Sequence, residues 1–163
     1  MIAERMRPFS RVVAGEGGQG EIRLTFLPEE AEIRTALRDW RARLRPLRLG
    51  FDLEGRAEIV LAEVLNNIAE HGHHADIGAP VELLCRGGAD GLHFVVTDHG
   101  RPPPPDMLRA EGKAARCPDS GDIAALPEGG FGWFLIRELT CDLSLHNGEG
   151  GNRLCFRVPR EMG

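Results

Sequence analysis

At 163 residues, with 42% hydrophobic and 28% charged residues, the chain has the composition of one soluble globular domain, long enough to bury about two-thirds of its unfolded surface. Its formal net charge of −5 offers no basic surplus to displace phosphate counterions, which argues against non-specific nucleic-acid binding. No apolar run reaches the roughly 18 residues of a membrane span, and Met1–Arg11 lacks the apolar core of a signal peptide.

Cys85, Cys117, Cys141 and Cys155 form no C-x-x-C pair, so neither a zinc knuckle nor a disulfide framework is indicated. The expectation is a cytoplasmic protein with reduced thiols and no membrane association.

Residues 1–20 end in Gly15-Glu16-Gly17-Gly18-Gln19-Gly20, without apolar periodicity and without the Gly-Lys-Ser/Thr ending of a P-loop; they read as a tail. Glu21–Leu27 alternates Ile22, Leu24 and Phe26 with polar residues, which predicts a strand with one buried face. Pro28-Glu29-Glu30 opens a helix with acidic residues in its first turn, and Ile33, Leu37, Trp40 and Leu44 supply its apolar stripe. Arg34, Arg38, Arg41, Arg43, Arg45 and Arg48 all fall on that helix as a solvated face, and Pro46 kinks or ends it.

A second helix is predicted from about Leu53 to His71. Leu61, Val64, Leu65 and Ile68 stand at i, i+3, i+4 and i+7, the spacing of a face laid on a core. Beside it runs a stripe of Glu63, Asn67, Glu70, His71 and His74. Residues four apart are helical neighbours, so a carboxylate, an amide and an imidazole (Glu63, Asn67 and His71) line up on one edge. Solvated helix faces are usually built from Lys, Arg and Glu; Asn66 and Asn67 in succession each lower helix propensity by roughly 0.5 kcal/mol. Gly72 suits the left-handed residue that closes a helix.

Two strands follow, Pro80–Arg86 and Leu92–Asp98, joined through Gly87–Gly91 as an antiparallel hairpin. Gly100-Arg101-Pro102-Pro103-Pro104-Pro105 stops regular structure. Residues 101–129 then form a long Pro-, Gly- and Ala-rich segment, with a weak helical signal at Pro105–Ala115, of the length expected for a lid or linker. After Gly129-Gly130-Phe131-Gly132 comes a helix at Trp133–Thr140, then a final hairpin of Cys141–His146 and Arg153–Val158. Adjacent hairpins exclude a doubly wound parallel sheet. The fold class is α/β (α+β), a two-layer sandwich with a mostly antiparallel sheet and helices on one face.

Three clusters carry chemistry: Glu63…Asn67…His71 on a helix, Asp98-His99-Gly100 at a strand end, and Gly130-Phe131-Gly132 at a helix start. Asp98 alone reads first as a strand-terminal turn residue, and the glycines alone as a loop. Glycine ahead of a helix also lets backbone N–H groups reach a phosphate. His71, His73, His74 and Asp76 invite a metal-site reading, but only His71 and His74 share a helical face, and Gly72 breaks the geometry beyond it.

Taken in order, the clusters resemble the boxes of the GHKL ATP-binding superfamily and, within it, the anti-sigma-factor serine/threonine kinases of the RsbW type. Glu63-x-x-x-Asn67-x-x-x-His71-Gly72 is similar to the N box, Val96-Thr97-Asp98-His99-Gly100 to the G1 box, and Gly130-Phe131-Gly132-Trp133-Phe134-Leu135-Ile136 to the G2 box. The resemblance covers Glu21 to Arg160. It implies a Bergerat-type ATP-binding domain at 21–160, with residues 101–129 as the ATP lid and 1–20 outside it. It further implies that Asn67 ligates Mg²⁺ at the ATP phosphates, as suits a hard cation, and that Glu63 is the catalytic base toward a serine hydroxyl. Asp98 would accept from the adenine amino group, Gly100 would let the ring approach, Gly130 and Gly132 would wrap the phosphates, and His71 would lie at the helix end near the nucleotide. Gly151-Asn152-Arg153 departs from the Thr that relatives often carry, so no binding role is carried over there. Lys113 and Arg116 of the lid are candidate γ-phosphate contacts.

The implied partners are a sigma factor and a STAS-type anti-sigma antagonist, with a homodimer as the expected assembly and no direct nucleic-acid contact. The competing reading is a non-catalytic nucleotide-binding interaction module; Glu63 favours the kinase, since a purely structural nucleotide site needs no base. A detached histidine-kinase domain fits less well, because no phosphoacceptor helix precedes the domain.

Overall fold

The computed structural model describes residues 11–14, 20–71, 78–104, 108 and 130–161. Its elements are β1 (Arg11–Ala14), β2 (Gly20–Phe26), α1 (Glu30–Leu44), α2 (Phe51–His71), β3 (Val81–Gly88), β4 (Gly91–Asp98), α3 (Gly130–Leu139), β5 (Cys141–Gly148) and β6 (Gly151–Pro159). The six strands form one sheet in the order β1-β2-β3-β4-β6-β5. Every neighbouring pair is antiparallel. The expected two-layer α/β sandwich is therefore present, with a sheet that is antiparallel throughout.

Period-2 alternation builds the inner face. Ile22, Cys85, Phe94 and Phe156 stand opposite one another across β2, β3, β4 and β6, and Leu24, Leu83, Val96 and Leu154 form the next row. All eight side chains are buried. The rings of Phe94 and Phe156 stack with centroids 4.9 Å apart, and Trp40 of α1 meets Phe94 at 5.9 Å. Such pairs add about 0.5–1.5 kcal/mol beyond the area they bury.

α2 is the spine of the helical layer, touching α1 and α3 on either side and β4 and β6 beneath. Leu53, Ala57, Val60, Leu61, Val64 and Leu65 are its buried positions, an i, i+3, i+4 stripe that carries the predicted face back to the predicted start at Leu53. Arg56 ties the helix to the sheet, its guanidinium donating to the carbonyls of Pro159 at 2.7 Å and Arg160 at 3.1 Å while pairing with Asp52.

Several boundaries differ from the sequence reading for local reasons. Residues 11–14 of the segment read as a tail form an edge strand on β2; four residues are too short to show periodicity. Arg45 and Arg48 lie outside α1: Pro46 converts the helix end into a 3₁₀ turn at Arg45–Leu47, and Arg48 takes a left-handed φ of 48°. Both hairpin turns shrink to two residues, Ala89-Asp90 and Glu149-Gly150, because the flanking glycines join the strands. α3 starts at Gly130, so Gly130 and Gly132 belong to its first turn rather than to a preceding loop. Gly72, His73, His74, Asp76 and most of 101–129, including Lys113 and Arg116, lie outside the described residues.

Burial pushes the Cys85 thiol up to about 12, against a smaller opposing contact with the Trp40 indole. The folded thiol holds its proton more tightly than the unfolded one, whose ordinary value is 9.0, so its contribution to stability is lost as pH rises above about 9 toward 12. On native protein at pH 8, iodoacetamide should modify exposed Cys141 and leave Cys85 intact, as peptide mass mapping would read. Leu65→Ala, at 0% exposure against the sheet, should lower the urea-unfolding free energy by about 2–5 kcal/mol.

Candidate functional site

The inward rows of the sheet end in polar residues. Asp98 and Asn152 face each other across β4 and β6, one step beyond Val96 and Leu154 on the same face. They are the two buried polar or charged side chains among the described residues. Burying a carboxylate is costly unless it is hydrogen-bonded, and here it is. Asp98 Oδ1 accepts from the Gly100 backbone N–H at 2.8 Å and from the Asn152 amide at 3.1 Å. The same Asn152 nitrogen donates to the Gly100 carbonyl at 2.8 Å. Asp98 Oδ2 has no partner among the described residues and remains available to a ligand.

Beside this end lies a cleft of about 310 Å³. Its apolar walls come from Val64 and Ile68 of α2, Trp133 of α3, Leu145 and Leu154 of β5 and β6, and Pro102–Pro104 after β4. Asp98 lies at one place on this wall, and Asn67, His71 and Arg101 supply the other polar groups. Apolar sides with a few fixed polar groups suit a flat heteroaromatic ring whose donor edge meets Asp98. A larger depression of about 580 Å³ lies on the opposite face of the sheet, lined among others by Arg23, Glu82, Thr97 and Arg153. It contains none of the sequence-predicted site residues and no buried polar side chain, so the smaller cleft is the better candidate.

The functional edge of α2 meets the first turn of α3. A Cβ added to Gly132 would lie 2.6 Å from Glu63 Oε2 and 3.8 Å from Asn67 Nδ2, so a side chain here would have to push the Glu63 carboxylate aside. Asn67 Nδ2 is buried with no hydrogen-bond partner. A half-turn of the amide exchanges nitrogen and oxygen in this position, so the residue can present a neutral oxygen there without rearranging its neighbours. That unsatisfied position fits a hard divalent cation, which takes oxygen ligands. Glu63 stands one turn before it.

Of the predicted residues, the structure thus brings Glu63, Asn67 and Gly132 together at the α2–α3 contact, and Asn67, His71 and Asp98 around one cleft, with Gly100 hydrogen-bonded to Asp98. His71 is largely exposed, 3.8 Å from Glu70. Gly130 opens α3. The sequence reading did not assign Asn152, Trp133 or Leu145 to the site. Trp133 was signalled by its place directly after Gly132, whereas Asn152 acquires meaning only through the β4–β6 register.

Comparison with known proteins identifies the family of the domain. The family model described as "Histidine kinase-like ATPase domain" matches residues 26–158. The chain is 29% identical over 119 residues to the serine-protein kinase RsbW of Bacillus cereus (strain Q1), covering 71% of this chain and 72% of that protein. The RsbW of Bacillus thuringiensis subsp. konkukian (strain 97-27) shows the same identity and coverage. With the family match spanning most of its length, the chain belongs to the histidine kinase-like ATPase domain family.

Proposed function

We propose that this protein is an ATP-dependent serine/threonine protein kinase of the anti-sigma type, which phosphorylates a serine of an antagonist protein and sequesters a sigma factor. The observation that carries the reading is the pairing of a buried, half-satisfied carboxylate at Asp98 with an unpartnered Asn67 amide along one apolar cleft. That the RsbW relatives are serine-protein kinases supports the choice of phosphoryl acceptor.

In this reading Asp98 Oδ2 accepts a hydrogen bond from the adenine amino group, and the aliphatic and proline walls hold the ring and exclude water. Asn67 would ligate Mg²⁺ at the phosphates, and the bound cation would supply charge neutralisation for the transferred group. Backbone N–H groups in the first turn of α3, from Gly130 to Gly132, face the phosphates, where the helix dipole favours an anion. Glu63 takes the proton of the incoming serine hydroxyl as its oxygen bonds to the γ-phosphorus. The bond from that phosphorus to the β–γ bridging oxygen breaks, and ADP leaves.

A non-catalytic binding module remains the second reading. It is favoured by the apolar surface at Phe131, 52% exposed and stacked on Phe134, which suits contact with another protein whether or not phosphate moves.

Calorimetry should show Mg²⁺-dependent ATP binding in the micromolar range, weakened about ten- to a hundredfold in Asp98→Asn, the range of a lost hydrogen bond to a charged group. Absence of ATP binding by the wild type would refute the kinase reading. Glu63→Ala should bind ATP within about threefold of wild type while losing about 10²–10⁴ in the rate of serine phosphorylation of the antagonist protein, measured by phosphopeptide mass spectrometry. Full transfer by that variant would remove Glu63 as base; no transfer by wild type would leave the binding module.

A further inference from the structure

Asn152 does more than fill the end of β6. Both N–H bonds of its amide are used, one on Asp98 Oδ1 and one on the Gly100 carbonyl. This fixes which way round the amide sits, since turning it would set its oxygen against two acceptors. The Gly100 N–H supplies a second donor to Asp98 Oδ1. One carboxylate oxygen is therefore committed within the protein, and its rotation about the side chain is held from two sides by groups on different strands' ends. What is left for a ligand is a single acceptor, Oδ2, in a fixed orientation.

We propose that Asn152 is a positioning residue that sets base selection, an inference that rests on the nucleotide reading above. By locking Asp98, it makes the cleft a reader of an amino donor: a 6-amino purine meets Oδ2 favourably, whereas a 6-oxo purine sets an acceptor against an acceptor that cannot turn away. Without Asn152 the carboxylate gains freedom to rotate or to admit a water, and the penalty on the 6-oxo base relaxes. A hydroxyl at this position has one donor for two acceptors, so it would restore the lock only in part.

The test uses the full chain and two nucleotides that differ at that one group, ATP and ITP, titrated with Mg²⁺ against wild type, Asn152→Ala and Asn152→Thr. The ratio of ITP to ATP dissociation constants should fall about tenfold in Asn152→Ala, mainly through weaker ATP binding, as one well-oriented hydrogen bond is worth about that factor. Asn152→Thr should give an intermediate ratio, and it carries the test if the alanine variant does not fold. Equal weakening of both nucleotides, with the ratio unchanged, would show that Asn152 only supports the fold and would overturn the assignment while leaving the ATP site intact. Failure of the wild type to bind either nucleotide would overturn the nucleotide reading and this inference with it.

Discussion

A carboxylate placed at the end of an apolar row is the constraint from which the site follows. Asp98 continues the inward-facing series Phe94, Val96 on β4, so it is turned toward the core side of the sheet and is largely shielded from bulk water. An ionised group there is tolerated only with donors in place. They come from two directions: the chain turns directly after β4 so that the Gly100 N–H returns to it, and β6 delivers Asn152 opposite. The second requirement fixes the β4–β6 register, because a one-residue slip would send Asn152 to the outer face and Leu154 with it. Phe94 stacked on Phe156 holds the same register from inside the core. At the start of β6, Gly151 has a φ of 100° and passes so close to the Asp98 carbonyl that an added Cβ would lie 2.4 Å from it.

α2 links this polar end to the rest of the domain. One stripe of the helix is core, and the adjacent edge carries Glu63 and Asn67 into contact with Gly132 of α3. The rigidity of the core stripe therefore positions the Glu63–Asn67 edge, and the edge needs no separate scaffold. Arg56, clamped on the carbonyls of Pro159 and Arg160 at the end of β6, anchors the beginning of the same helix to the strand that carries Asn152 at its other end.

What was legible in the sequence was whatever repeats at short range. The stripe of Leu61, Val64 and Leu65, the alternation Ile22, Leu24, Phe26, and the lined-up Glu63, Asn67 and His71 all declare themselves within a few residues. Asn152 does not, because its partner lies 54 residues away and nothing local to Gly151-Asn152-Arg153 says which face it takes. β1 escaped because its support comes from β2 across the sheet rather than from its own four residues. Gly130 and Gly132, poor helix formers by propensity, read as loop; in the structure, contact with α2 overrides that preference, with Gly132 set close against the Glu63 carboxylate.

Pro102, Pro103 and Pro104 give the cleft a wall with an unusual limitation. Three successive residues have no backbone N–H, so this side can accept hydrogen bonds but its main chain can donate none. It also cannot be drawn into the sheet as a further paired strand, since the ladder would lack its donors. The main chain along that stretch is thus mute toward any acceptor edge, and discrimination between ligands of similar shape falls to the cleft's polar side chains, Asp98, Asn67, His71 and Arg101.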